Sequence, residues 1–297
     1  MKPAAFAHGL WAVLWRVGLF FVVWGLLLAP TILPFRSAME RWQQEGSPWP
    51  GWLGDASALL SLLAATWAIG RLADRRSLGS WGLGAPNRWW VVAAGPAVGI
   101  AWLGASVAGA CAVGVASLSP APLPSWVILL ATAGSVLINA TAQQVLLCGY
   151  IFGTIRSRFG TSAAVIASAL LFSGYHAGAF KGAWVPALNV FLAGLVFCEA
   201  FVLTETIWFG TAFHATWNFL LGPVLGLTVS GTGRFKHLGR LFALSGSPVL
   251  SGGDFGIEGG VIVTATTLLV LAALLLALGR RKRADRESET SEVSASS

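Results

Sequence analysis

The 297 residues are 56% apolar and only 10% charged, against roughly 25% charged in an average soluble domain. The formal charge of +7 comes from Lys and Arg scattered at the edges of apolar blocks, where topology signals belong, and not from a nucleic-acid-binding patch. Cys111, Cys148 and Cys198 lie inside apolar blocks with no CxxC pair, which excludes a disulfide framework and a zinc knuckle.

The apolar residues come in long runs rather than in the short alternation of barrel strands. A helix needs about 20 apolar residues to cross the hydrocarbon, and in lipid only helices or closed barrels satisfy their backbone. The fold class read from this is all-α, a polytopic transmembrane helical bundle of about eight spans. The first runs roughly from Leu10 to Pro34; its length and flanks read as a span and not a cleaved signal peptide. A polar connection leads to a second span, about Trp52 to Ile69, and a basic loop, Arg71 to Arg76. The third covers about Trp89 to Leu118, and a Pro-rich turn follows. The fourth is long, about Trp126 to Ile155, ahead of Arg156 and Arg158. The fifth, sixth and seventh cover about Ser162 to Phe180, Val185 to Leu203 and Ile207 to Leu225. A Gly-rich segment reaches Glu258, and the last span is about Gly260 to Leu278. Arg280 to Arg283 form a stop-transfer cluster before a Ser- and Glu-rich tail that reads as disordered.

Four regions follow: N-terminal transmembrane helices over 1–125, a core over 126–225, a Gly-rich loop with the last helix over 226–279, and the tail over 280–297. No internal repeat is evident. Most of the 19 Lys and Arg fall on one side if both termini are cytoplasmic, as in a bacterial-type plasma membrane. Arg234, Lys236 and Arg240 fall on the other side and disagree with that count.

Polar side chains at membrane depth are the informative ones, because each is costly to place there. Ser135, Asn139 and Gln143 recur at i, i+4 on one face, with Gln144 beside them. His176 follows Phe172 by four residues, and His214 precedes Asn218 by four. Any one of them serves as interhelical glue, worth about 0.6 to 2 kcal/mol. As a set, Gln143, His176 and His214 lie at comparable depth, roughly 12 to 21 Å at 1.5 Å per residue. Two imidazoles and an amide can polarise a carbonyl and hold an oxyanion. Hydrolysis also needs a proton acceptor, usually a carboxylate, and Gln143 and Gln144 are not acceptors of that kind.

These residues resemble the CPBP intramembrane protease family, which includes the type II CAAX prenyl endopeptidases. The family pattern is Glu-Glu-x-x-x-Arg-Gly, then Phe-x-x-x-His, then His-x-x-x-Asn. Here it aligns with Gln143 to Gly149, with Phe172 to His176 and with His214 to Asn218, within about Trp126 to Leu220. The resemblance implies catalytic positions at Gln143, Gln144, His176, His214 and Asn218, and substrate-binding positions at Phe172 and Cys148. It implies endopeptidase activity on a lipidated or hydrophobic peptide or protein in contact with membrane lipid.

The departures fall on the chemistry: both glutamates are Gln and the arginine is Cys148, so the family activity is expected to be impaired. The alternative is a pseudoprotease that binds a membrane peptide or partner protein without cutting it. A transporter is disfavoured by the scarcity of charge in the spans. Two histidines and an amide make a poor zinc site; no cofactor is expected, although zinc is possible. Among other carboxylates, Glu199 is the candidate substitute base. Glu205 reads as solvated, and Asp55 and Glu258 as interfacial, with His8 and His237 in the solvated or interfacial class too.

Overall fold

The computed structural model describes residues 3–44, 49–86, 89–119, 121, 122, 124–235, 238 and 240–295. Lys236, His237 and the last two residues of the expected tail lie outside the described residues. The chain is an all-α membrane protein. Its long helices are α1 (Pro3–Ile32), α3 (Trp49–Leu72), α4 (Trp89–Ala112), α5 (Trp126–Cys148), α8 (Trp184–Thr204) and α11 (Val261–Ala295). The shorter ones are α2 (Arg36–Gln44), α6 (Tyr150–Phe159), α7 (Thr161–Tyr175), α9 (Ile207–Phe219) and α10 (Pro248–Ser251).

Six helical segments among the described residues are long and apolar enough to cross a membrane, beginning at Phe6, Gly51, Trp89, Trp126, Trp184 and Val261. The remaining two expected spans are α7, of 15 residues, and α9, of 13 residues. At 1.5 Å per residue these reach only about 20 Å, short of the roughly 30 Å hydrocarbon. Large apolar side chains point outward along the long helices, among them Trp11, Leu26, Trp67 and Leu269. That inversion is what lipid as solvent permits.

Several of the expected spans have different limits, the third among them, since α4 stops at Ala112, short of the expected Leu118. The fourth is not continuous: α5 stops at Cys148 and α6 restarts at Tyr150. Gly149 makes the break, with φ −83° and ψ −125°. A Cβ there would sit 2.3 Å from the Val145 carbonyl oxygen, so only glycine fits. The fifth ends at Tyr175, with His176 as its C-cap. The seventh ends at Phe219 and runs into a single π-turn, Leu220–Val224, that contains Pro223. Two short strands add to the helices: β1 (Ala116–Leu118) pairs antiparallel with β2 (Phe242–Leu244). The last helix continues to Ala295 through residues that sequence reading assigned to the disordered tail, with Arg281 and Asp285 3.9 Å apart across one turn.

The two terminal helices share one end of the bundle. Phe6 packs on Phe159, with ring centroids 5.5 Å apart. Arg156 pairs with Glu205 at 2.8 Å, and Arg281 donates to the Leu203 carbonyl at 2.5 Å. From this end α7 and α9 enter the bundle and stop part-way. The depth they leave is filled by two stretches of the chain that follows, 221–230 and 255–260. The second of these, the segment before α11, reaches the level of Trp102 in the middle of α4, because Trp102 and Glu258 line the same cavity.

Asn189 on α8 holds the segment there. Its Nδ2 donates to the carbonyls of Glu258 (2.8 Å) and Gly260 (2.9 Å), and its Oδ1 accepts from Thr264 Oγ1 at 2.6 Å. Gly252, at φ +83°, makes the reversal just before; a Cβ there would lie 1.7 Å from the Gly256 oxygen. Replacing Asn189 with Ala removes three hydrogen bonds and leaves two buried carbonyls without this donor. The expected loss is on the order of 2 to 4 kcal/mol, read as a lower thermal midpoint of the detergent-solubilised protein. An unchanged midpoint would contradict this role for Asn189.

Candidate active site

The polar side chains converge on a cavity of about 50 Å³ enclosed by α4, α5, α7, α8, α9 and the segment before α11. That is room for a few waters, which need only about 10 to 15 Å³ of accessible volume each. Gln143, His176, His214 and Asn218 line it, and so does Phe172. An adjoining cavity of about 340 Å³ shares Gln143, His176, Asn218 and Ser230 and extends to Arg234.

Each side chain is placed by its helix. His176 caps α7, and its Nδ1 lies 2.9 Å from the Phe172 carbonyl. A carbonyl only accepts, so Nδ1 carries the proton and Nε2 keeps its lone pair. One turn apart on α9, Asn218 Nδ2 donates to His214 Nε2 at 3.1 Å. That bond uses the His214 lone pair and leaves Asn218 a second N–H. The His214 ring stacks on Phe197 at 4.5 Å, and Phe172 touches both imidazoles edge-on, at 4.7 Å from His176 and 6.5 Å from His214. The aromatic faces fix the planes of both rings.

The α5 stripe has a partner that its spacing alone did not reveal. Gln143 Nε2 donates to Asn139 Oδ1 at 2.6 Å, and Asn139 Nδ2 donates to Asp55 Oδ1 at 2.8 Å. Ser135 donates to Asp55 Oδ2 at 2.8 Å, and Arg234 closes the set with an ion pair to the same carboxylate. Asp55 is enclosed by protein: its side chain is 9% exposed. Arg234, one of the three cations that disagreed with the charge count, is its counter-ion. A polar relay runs from Arg234 to the cavity wall at Gln143.

Gln144 and Cys148 sit elsewhere. Both are fully buried, and neither lines the cavity. Gln144 Oε1 faces Gly210, where a Cβ would come within 2.8 Å, and Cys148 Sγ lies 3.8 Å from that oxygen and beside Cys198. Gln144 Nε2 has no partner among the described residues. An arginine at position 148, as the family pattern has, would meet a closed core.

Glu199 does not line the cavity; the charge acting on it is that of Lys282. Glu205 pairs with Arg156 at the outer end of α8. The carboxylate that does line the cavity is Glu258, which sequence reading placed at the interface. Its Oε1 accepts from Trp217 Nε1 at 2.8 Å, and its Oε2 accepts from the Ser230 amide at 2.5 Å and the Ser230 hydroxyl at 3.4 Å. Sequence reasoning missed Glu258 because it stands in a Gly-rich run outside every apolar block. The signal available was that run itself, since a long Gly-rich segment between spans suits backbone packed closely against protein. Among the described residues no three His, Cys, Asp or Glu form a cluster able to hold a metal ion.

Residues 124–220 match the family model described as type II CAAX prenyl endopeptidase Rce1-like. The match spans α5 to α9, which bear Gln143, His176, His214 and Asn218. It leaves out α3, which bears Asp55, and the segment that bears Arg234 and Glu258. No curated protein matches the chain.

The relay makes a prediction about stability. Asp55→Ala strips Arg234, Ser135 and Asn139 of their acceptor. The expected cost is about 2 to 4 kcal/mol, at the low side of the range for a broken buried pair because Arg234 is partly exposed. The double change Asp55→Ala with Arg234→Ala should cost less than the two singles added, by about 1 to 2 kcal/mol. Thermal unfolding of the four proteins in detergent checks this, and strict additivity would contradict it.

Proposed function

We propose that this CAAX-protease-like membrane protein receives a hydrophobic or lipidated peptide segment in the larger cavities that adjoin the small polar one at His176 and Phe172, with a peptide carbonyl reaching the polar cavity and the family's hydrolysis impaired at its α5 motif. The observation that carries the impairment is the amide at Gln143. It is the motif side chain that reaches the cavity, and it is committed to Asn139 as a donor. A glutamine does not gain a proton at ordinary pH, so the water-activating role attached to this position has no acceptor here.

The peptide-binding half of the reading rests on the surroundings. An apolar cavity of about 370 Å³ lies between α1, α5 and α7, lined by Phe21, Leu146, Ile151 and Leu171. Phe172 lines it as well as the polar cavity, so one aromatic ring separates the two. Such a pairing suits a substrate with an apolar chain next to a peptide bond. We read the end that carries both terminal helices as cytoplasmic, since Arg71, Arg75, Arg76 and Arg280 to Arg283 gather there.

A second reading, binding without cleavage, has its own support. Gln143 completes the relay to Arg234 through Asn139 and Asp55, a structural use for an amide that a carboxylate would not fill in the same way. A glutamate there would place a second acceptor against Asn139 Oδ1.

Both readings require that the cavity binds peptide. A farnesylated peptide with a photoreactive side chain near its C-terminus should label α5, α7 or α9 of the purified protein in liposomes. Ala193→Phe puts a ring into the cavity lining and should lower labelling at least tenfold, about 1.4 kcal/mol of binding. Labelling that is absent from these helices, or indifferent to Ala193→Phe, would contradict the proposal.

A further inference from the structure

Glu258 remains to be explained. It sits level with the middle of α4, and among the described residues no Lys or Arg lines the cavity it faces. The charged pair nearby, Asp55 with Arg234, is internally neutral. A carboxylate at membrane depth with no cationic partner among the described residues is expensive to keep, and such groups mark working sites. Three donors hold its orientation: Trp217 on one oxygen, and the Ser230 amide and hydroxyl on the other. A carboxylate offers about four acceptor positions, so Oε1 keeps one beyond its bond to Trp217. The backbone beneath it is pinned by Asn189.

We propose that Glu258 is the general base of this cavity, taking the proton of the water that attacks a peptide carbonyl bound there. The inference rests on the reading that the cavity receives peptide. It moves the acceptor from the α5 motif, where Gln143 stands, to the segment before α11, which lines the same cavity as the histidine pair.

The step balances with water and peptide alone. The His176 Nε2 lone pair accepts one water hydrogen as a hydrogen bond and orients the nucleophile. The other proton passes to Glu258 Oε1 as the water oxygen bonds to the carbonyl carbon. The carbonyl π pair moves onto its oxygen, which the second N–H of Asn218 stabilises. Collapse breaks the C–N bond, and the proton on Glu258 passes to the leaving nitrogen. The products are an acid and an amine, and Glu258 is again a carboxylate. Were His176 to take the proton itself, the resulting imidazolium would sit in the same low-dielectric cavity as His214, with Glu258 as its counter-charge. Cleavage would depend on Glu258 by that route too.

The test uses the full chain in liposomes with the photoreactive farnesylated peptide, reading cleavage by mass spectrometry and binding by labelling. Wild type should cut slowly. Glu258→Gln should lower the rate about 10²- to 10⁴-fold with labelling intact, and Glu199→Gln should leave both unchanged. Added formate should restore part of the activity of Glu258→Ala, which a purely structural role would not give. Wild type that is labelled in the cavity but never cuts, or Glu258→Gln that cuts at the wild-type rate, overturns the base assignment while the binding reading stands. Absence of labelling overturns the binding reading and this inference with it.

Discussion

The architecture depends on one constraint: backbone groups held at membrane depth need partners, and lipid supplies none. Eight full-length helices would meet it trivially. This chain has α7 and α9 at 15 and 13 residues instead, so non-helical backbone must occupy the depth they leave. That backbone is tolerated only where protein encloses it, and here Asn189 answers two of its carbonyls. The irregular segment is thus the means by which two short helices end inside the membrane. Their ends are where His176 and Asn218 stand.

The same arrangement puts polar and aromatic side chains around one cavity. Helix ends and turns bring N–H groups and lone pairs, as with the Ser230 amide and His176 Nε2. The complete helices bring rings, Trp102 from α4 and Phe197 from α8. Rings fix the imidazoles, while the turns and the amides of Gln143 and Asn189 bring the polar groups. The relay from Arg234 through Asp55 and Asn139 to Gln143 ties the outer segment to α3 and α5. It also accounts for the amide at position 143 in terms of what that side chain touches.

Much of this was legible in the sequence, for identifiable reasons. Long apolar blocks give the membrane helices, because length and hydropathy are one-dimensional properties. The i, i+4 spacing of Asn139 with Gln143 and of His214 with Asn218 is also one-dimensional, and those pairs are hydrogen-bonded. Contacts between distant segments were not legible. Asp55 meets Asn139 across 84 positions, and Trp217 meets Glu258 across 41. Charge counting misplaced Arg234 because it assumes that loop cations face water. Hydropathy placed Glu258 at an interface because a Gly-rich stretch reads as a surface loop. The break at Gly149 was hidden inside an apolar run, since only close approach to the Val145 carbonyl makes glycine necessary there.

The central claim is that the segment before α11 is packed inside the bundle and brings Glu258 to the histidines. Amide hydrogen exchange over 251–260 tests it most directly. The amides of Ser251, Gly252, Phe255, Gly256, Gly259 and Gly260 all donate within the segment, and the Asn189 clamp holds it against α8. The account predicts protection there comparable to that of α8, with exchange over hours. Exchange within seconds, as for a solvated loop, would contradict it.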